Sequence, residues 1–162
     1  MIAPHATPVV WRAEPHEAEQ VAALLVAFRD HIGQRSPSDN AFLASVERLI
    51  VDPATEYLLG APAQGEPAAG VVQLRFRWSV WRAAEDCLLE DLFVAPEARR
   101  SGLGRALVQA AIDRARGRGA RRIELDTAER NEAAVRLYRS FGFSDEAYEG
   151  GRAMFLRLWL DD

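Results

Sequence analysis

The chain has 162 residues, about half of them apolar, one cysteine and a formal net charge of −4, the size and composition of one globular domain. The single cysteine excludes an internal disulfide and a cysteine-built zinc site, and apolar runs as short as "VAALLVAF" exclude a spanning helix, which needs about 20 residues. All 20 basic residues are arginines; residues 99–122 carry a balance of +7 and the remainder −11, which points to an anion bound at one place and a cationic substrate elsewhere.

The opening "MIAPHATPVVW" has no basic region followed by a long apolar one, so no secretory leader is expected and the expected location is cytoplasmic. "TPVVWRAE" predicts a first strand. "PHEAEQVAALLVAFRDHI" is amphipathic, with Val21, Leu24, Leu25 and Phe28 at helical spacing, Pro15 suited to the first position and Gly33 to the end. "SDNAFLASVERLI" predicts a second helix. "EYLLG" and "AAGVVQLRFRW" predict strands joined by the Pro/Gly-rich loop "APAQGEPA", and "CLLEDLFV" predicts another. A helix over "GRALVQAAIDRARGRG", the strand "RRIELDT", the helix "NEAAVRLYRSF" closed by Gly142, and two strands, "FSDEAYE" and "RAMFLRLWL", complete the order βααβββαβαββ. The class is α/β, with no internal repeat.

The stretch "FVAPEARRSGLGRALVQ" passes from strand to helix through two arginines and two glycines. Helix N-termini expose unpaired N–H groups, glycine lets an anion approach them, and arginine adds charge-assisted hydrogen bonds. A P-loop is excluded because Arg105 and Ala106 follow Gly104, and a dinucleotide fingerprint because Leu107 stands where its third small residue belongs. A plain turn before a surface helix fits the glycine spacing equally well. The arginines beyond it, Arg114, Arg116, Arg118, Arg121 and Arg122, read as a solvated helix face.

This stretch resembles the signature loop of the GNAT superfamily of N-acetyltransferases, with Arg99, Gly102 and Gly104 on its pattern. "AERNEAAVRLYRSFGF" is similar to a second segment of that family, through Asn131, Ala134, Leu137, Tyr138, Gly142 and Phe143. The resemblance implies one acetyltransferase domain over residues 1–162, with a mixed, mostly antiparallel central sheet, splayed strands and helices on both faces. It implies acetyl-CoA as co-substrate, its pyrophosphate held by Arg99, Arg100, Ser101, Gly102, Leu103, Gly104 and Arg105. The edge of Leu92, Phe93 and Val94 would pair with the pantetheine arm, Asn131 would hold that arm from the other side, and the amide near Leu92 would polarise the carbonyl. Asn131 is equally suited to cap its own helix.

Acetyl transfer to an amine requires a base for the ammonium proton and a proton for the leaving thiolate. By the resemblance Tyr138 is the acid; by helical spacing alone it belongs to an apolar face with Ala134, Leu137 and Phe141. Glu90 and Asp91 are adjacent carboxylates in an apolar strand. Alternation sends them to opposite faces unless a bulge intervenes. Glu90 is taken as the base and Asp91 as a contact for the cationic amine; pairing of both with Arg75 or Arg77 is the structural alternative. Cys87 reads as a small buried hydrophobe rather than a nucleophile. His5, His16 and His31 lack metal-ligand spacing, and no metal is expected.

"LRFRWSVWRAAEDCLLEDLFV" is similar to the matching segment of spermidine/spermine and thialysine N-acetyltransferases. That likeness makes Trp78 and Trp81 candidate holders of an ammonium group, although hairpin packing explains them as well, and adds Asp30 as a candidate acceptor-site carboxylate. Arg75, Arg77 and Arg82 argue against a polycation. The expected acceptor is a small-molecule amine, with a protein amine as the alternative and a non-catalytic coenzyme A or nucleic-acid module as the rival. A homodimer is expected by family habit; neither a nucleic acid nor a membrane is an expected partner.

Overall fold

Alternation along the strands sorts their side chains onto two faces, and the helices close on those faces. The computed structural model describes residues 6–160. Five strands, β1 (Val9–Arg12), β2 (Thr55–Ala61), β3 (Gly70–Ser79), β4 (Ala84–Val94) and β5 (Arg122–Glu124), lie side by side in chain order. The first four are antiparallel neighbours and β5 joins β4 in parallel. The helices are α1 (Ala18–His31), α2 (Asp39–Ile50), α3 (Leu103–Gly117) and α4 (Glu132–Ser140). The class is the expected mixed α/β, and the chain divides into two compact units, residues 1–125 and 126–162.

In the first unit, Tyr57, Leu59, Val71 and Phe93 face α1 and α2, where Val21, Leu25 and Val46 meet them. The alternate residues Leu58, Val72, Leu74, Cys87 and Leu89 face α3 through Leu103, Leu107 and Ala111. Helix α1 follows a 3-10 turn at Pro15–Glu17 closed by a Glu14/Glu17 capping box. Helix α2 is capped by Ser38, whose hydroxyl accepts from the Ala41 amide at 3.2 Å. Gly60 and Gly70 are paired across β2 and β3. A methyl group on either would lie 2.7 Å from a carbon of Leu103 or Leu107, so the two glycines make room for these α3 side chains against the sheet.

The β4–β5 ladder ends at Leu88 and Glu124, whereas β4 continues to Val94. The second half of β4 therefore has no ladder partner on its β5 side among the described residues. This is the local form of the expected splay.

In the second unit, Tyr138 is buried and meets the Phe143 ring edge-on at 5.7 Å between centroids. The two strands expected at "FSDEAYE" and "RAMFLRLWL" are not formed: the described residues there show an isolated Glu146–Arg152 bridge, and residues 153–160 have no ladder and exposed side chains. Their composition suits a pleated, packed surface but does not supply the neighbouring edge that makes a strand.

Candidate active site

The two carboxylates of β4 come together through a bulge. Gln73 pairs with Asp91 and Leu74 with Leu89, leaving Glu90 as the extra residue. Tyr57, Gln73 and Asp91 stand in one row across β2, β3 and β4, on the face shared with Leu59 and Phe93. The Gln73 amide donates to Glu90 Oε2 at 2.6 Å, so Glu90 joins that row instead of pointing away. The Arg75 guanidinium lies 3.8 Å from the same oxygen, with both side chains more than a third exposed, a weak pair. Arg77 turns to Glu124. Burial, reinforced by Asp91 and then Glu90, pushes the Tyr57 phenol well above the ordinary tyrosine range. The result is a half-open acidic patch with a protonated phenol at its floor. Tyr57 and Gln73 escaped the sequence reading because they sit inside apolar runs with no motif around them.

At the far end of β4 the chain enters the glycine turn. Arg100 (φ 65°) and Gly102 (φ 84°) are both left-handed, a costly conformation for arginine, about 1–2 kcal/mol. Helix α3 starts directly after Gly102, without a side-chain hydrogen bond to its N-cap and without an acidic residue in its first turn. The Ser101 hydroxyl donates to the Ala98 carbonyl at 2.6 Å and accepts from the Leu103 amide at 3.3 Å, pinning the turn. Arg99 folds back, donating to the Val94 carbonyl at 3.2 Å and to His31 Nε2 at 3.1 Å. Leu92 and Val94 are half-buried, while Phe93 is in the core, stacked 5.3 Å from Phe28. The arrangement is a helix N-terminus with its positive end exposed beside arginines, which is a seat for an anion.

The arginines between residues 99 and 122 divide by what they touch. Arg114 makes two hydrogen bonds to buried Glu56, at 2.6 and 2.8 Å. Arg118 does the same to Glu85, at 3.0 and 3.1 Å, and Arg122 donates to buried Asp86 at 2.6 Å. The expectation of a solvated face is corrected for these three: they neutralise carboxylates of the sheet. Arg100 and Arg105 are exposed at the glycine turn.

Trp78 and Trp81 are 67 % and 95 % exposed, so neither is packed in its hairpin. Trp78 pairs with Glu85, which lies five residues along β4 from Glu90, a separation of about 17 Å. A depression of about 530 Å³ beside it is lined by Trp78, Glu85, Arg118 and Arg121. Asp30 is held by its neighbour Arg29 at 2.8 and 3.0 Å. Cys87 is 1 % exposed and burial pushes its thiol up to about 12, which suits packing and not nucleophilic attack. His16 contacts Glu14 at 3.4 Å; His5 lies outside the described residues.

In the second unit Asn131 occupies the N-cap position of α4 but makes no side-chain capping hydrogen bond. Its exposed amide is not committed to the helix. Burial raises the Tyr138 phenol above its ordinary value, keeping it protonated and able to donate.

The Acetyltransferase (GNAT) family model matches residues 18–143. The aminoglycoside N(6')-acetyltransferase type 1 of Klebsiella aerogenes is 38 % identical over 104 residues, covering 60 % of this chain and 64 % of that enzyme. The thialysine N-epsilon-acetyltransferase of Bos taurus is 30 % identical over 90 residues, 54 % of this chain and 52 % of the relative. The matched region thus spans less than two thirds of either relative. A solved chain from Arthrobacter sp. FB24 superposes with a TM-score of 0.81 at 28 % identity, covering 93 % of this chain and 94 % of that one.

Proposed function

This chain belongs to the GNAT acetyltransferase family, and from that premise we propose that it moves the acetyl group of acetyl-CoA to a primary amine of a small molecule by direct attack in a ternary complex. The observation that carries the reading is the turn ahead of α3: left-handed Arg100 and Gly102, a glycine at the N-cap, and no acidic residue in the first helical turn. These features fit a diphosphate, which Arg99, Arg100, Ser101, Gly102, Leu103, Gly104 and Arg105 would hold. The edge of Leu92, Phe93 and Val94 would take the pantetheine arm as an added strand, and Asn131 would contact it. When bound, acetyl-CoA supplies an activated acyl carbon as a thioester.

Glu90 takes a proton from the ammonium, directly or through water, and Asp91 attracts the cation. As the N–C bond replaced the C–S bond, Tyr138 would give its proton to the leaving sulfur, and the second proton of the amine nitrogen would return through water to the phenolate. The amide near Leu92 faces the developing oxyanion. The two adjacent carboxylates of β4, Glu90 and Asp91, favour cationic acceptors: a polyamine, a diamine or an amino-acid side chain, with Trp78, Trp81 and Asp30 as outlying contacts. Acetylation of a protein lysine or N-terminus is the alternative. Family membership also supports a cytoplasmic homodimer in which all 162 residues act as one catalytic domain.

Thiol release from acetyl-CoA, measured over a panel of small amines, an N-terminal peptide and a lysine peptide, tests the reading. Tyr138→Phe is expected to slow turnover about 10–100-fold while calorimetry shows acetyl-CoA binding unchanged. Binding without turnover on any amine overturns the catalytic proposal; absence of binding overturns the assignment of the turn.

A further inference from the structure

We propose that the acceptor is a primary amine that also carries a carboxylate, an amino-acid type of molecule, and that Arg75 selects it by holding that carboxylate. The inference deepens the acetyltransferase reading above and rests on it. On β3, Val71, Gln73, Arg75 and Arg77 alternate onto the face that turns toward α1 and α2. Successive rows of side chains on that face lie about 7 Å apart along the strand. The row of Tyr57, Gln73 and Asp91 is the acidic one, with Glu90 drawn into it by the Gln73 amide. Arg75 stands in the next row, between Thr55 and Leu88.

The charge of Arg75 is not committed to the fold. Its neighbours on both adjacent strands, Thr55 and Leu88, are uncharged. Its approach to Glu90 Oε2 is 3.8 Å, too long for a hydrogen bond, and that oxygen already accepts from Gln73 at 2.6 Å. The Arg75 side chain is 37 % exposed, open enough to meet a ligand. The arginines against the other face of the sheet are placed differently: Arg114 and Arg118 each make two hydrogen bonds to a single carboxylate. Glu124, beyond Leu88, lies 2.8 Å from Arg122 and 3.8 Å from Arg77. Arg77 itself is largely exposed, and Asp86 across from it accepts from Arg122 at 2.6 Å. Arg77 therefore adds positive potential at the same end of the face.

The two rows set opposite charges side by side. An ammonium at Glu90 and Asp91 brings the rest of a short acceptor over Arg75. A carboxylate there receives paired N–H donors from the guanidinium, whose planar fork matches it. Guanidinium has five such donors, so Arg75 takes the ligand without leaving the neighbourhood of Glu90. A diamine of the same length brings a second ammonium to the guanidinium instead, and like charges repel. A neutral substituent gains neither effect. The selection is made in binding the acceptor, so it acts on the KM of the amine more than on kcat.

Thiol release from acetyl-CoA is measured with ω-amino acids from glycine to aminohexanoate, each beside its primary amide and the diamine of equal length. At the best length the amino acid is expected to exceed its amide by about ten- to a hundredfold in kcat/KM, with the diamine below the amide. Arg75→Leu is expected to bring amino acid and amide within about threefold of each other, through the KM of the amino acid. Both acceptors meet the same variant, so the ratio cancels any general loss of rate or of folded protein. Arg75→Lys is expected to restore part of the preference, because it keeps the charge and loses the fork. An amide or a diamine that matches the amino acid at every length, or an Arg75→Leu variant that keeps the preference, overturns the proposal. Turnover of amines without preference for a carboxylate ends this proposal and leaves the acetyltransferase reading standing, whereas acetyl-CoA binding with no turnover of any amine ends both.

Discussion

On the α3 side of the sheet, Glu56 is 2 % exposed and accepts two hydrogen bonds from Arg114, with Arg118 and Arg12 at 3.5 and 3.7 Å. Burial alone would raise its pKa; the hydrogen bonds from Arg114 and the charges of Arg114, Arg12 and Arg118 outweigh it and hold the carboxyl below the ordinary range. On the α1/α2 side, the Glu90 side chain is 41 % exposed, its near neighbour is the neutral Gln73 amide, and Arg75 stands off at 3.8 Å. One carboxylate is clamped by arginines that favour its ionised form. The other is aimed by an uncharged donor, reachable from solvent and set beside a second acid. A proton-exchanging group needs the second kind of surroundings, and the first kind serves the fold.

The strongest way to break this contrast is Glu90→Gln. Its expected effect is a loss of about 10²–10⁴ in kcat/KM with acetyl-CoA binding and urea stability retained; an unchanged rate would place Glu90 with Glu56 among structural acids. Arg114→Leu tests the other side. It leaves Glu56 buried with two more distant arginines and is expected to cost roughly 1–3 kcal/mol in urea unfolding at neutral pH, with turnover kept. The pH dependence has a definite sign: the folded-state pKa of Glu56 lies below its unfolded value, so its stabilisation is complete above the unfolded value and disappears as pH falls through the folded one. The gap between parent and Arg114→Leu therefore narrows on acidification; a gap that widens contradicts the clamp. Arg75→Leu is the mildest, expected to change stability by less than about 0.5 kcal/mol because the pair is exposed and long. A loss as large as that from Arg114→Leu would erase the difference between the two acids.

What could be read from the sequence was local. The glycine turn announces itself through Pro96, two glycines and the helical spacing that follows, and the structure puts a helix start there. Glu90 and Asp91 were visible as charges in an apolar strand. Their common side was not, because the bulge is a property of how Gln73 and Leu74 register with Asp91 and Leu89, a relation between distant segments. The same limit hid Gln73 and Tyr57. Helical periodicity placed Arg114 and Arg118 on one side of α3 but said nothing of Glu56 and Glu85 waiting on the sheet beneath. "MFLRLWL" shows the converse error: its β-favouring residues were read as a strand of the sheet, although pairing depends on an edge that the segment itself does not specify.

Gly60 and Gly70 lie directly beneath the first turns of α3. A methyl group at either position would press on the Leu103 or Leu107 side chain at 2.7 Å and force it to shift. The seat of α3 is therefore guarded by two residues in mid-sheet that have no side chain of their own, and an alanine at either would show itself first in how Leu103 and Leu107 pack.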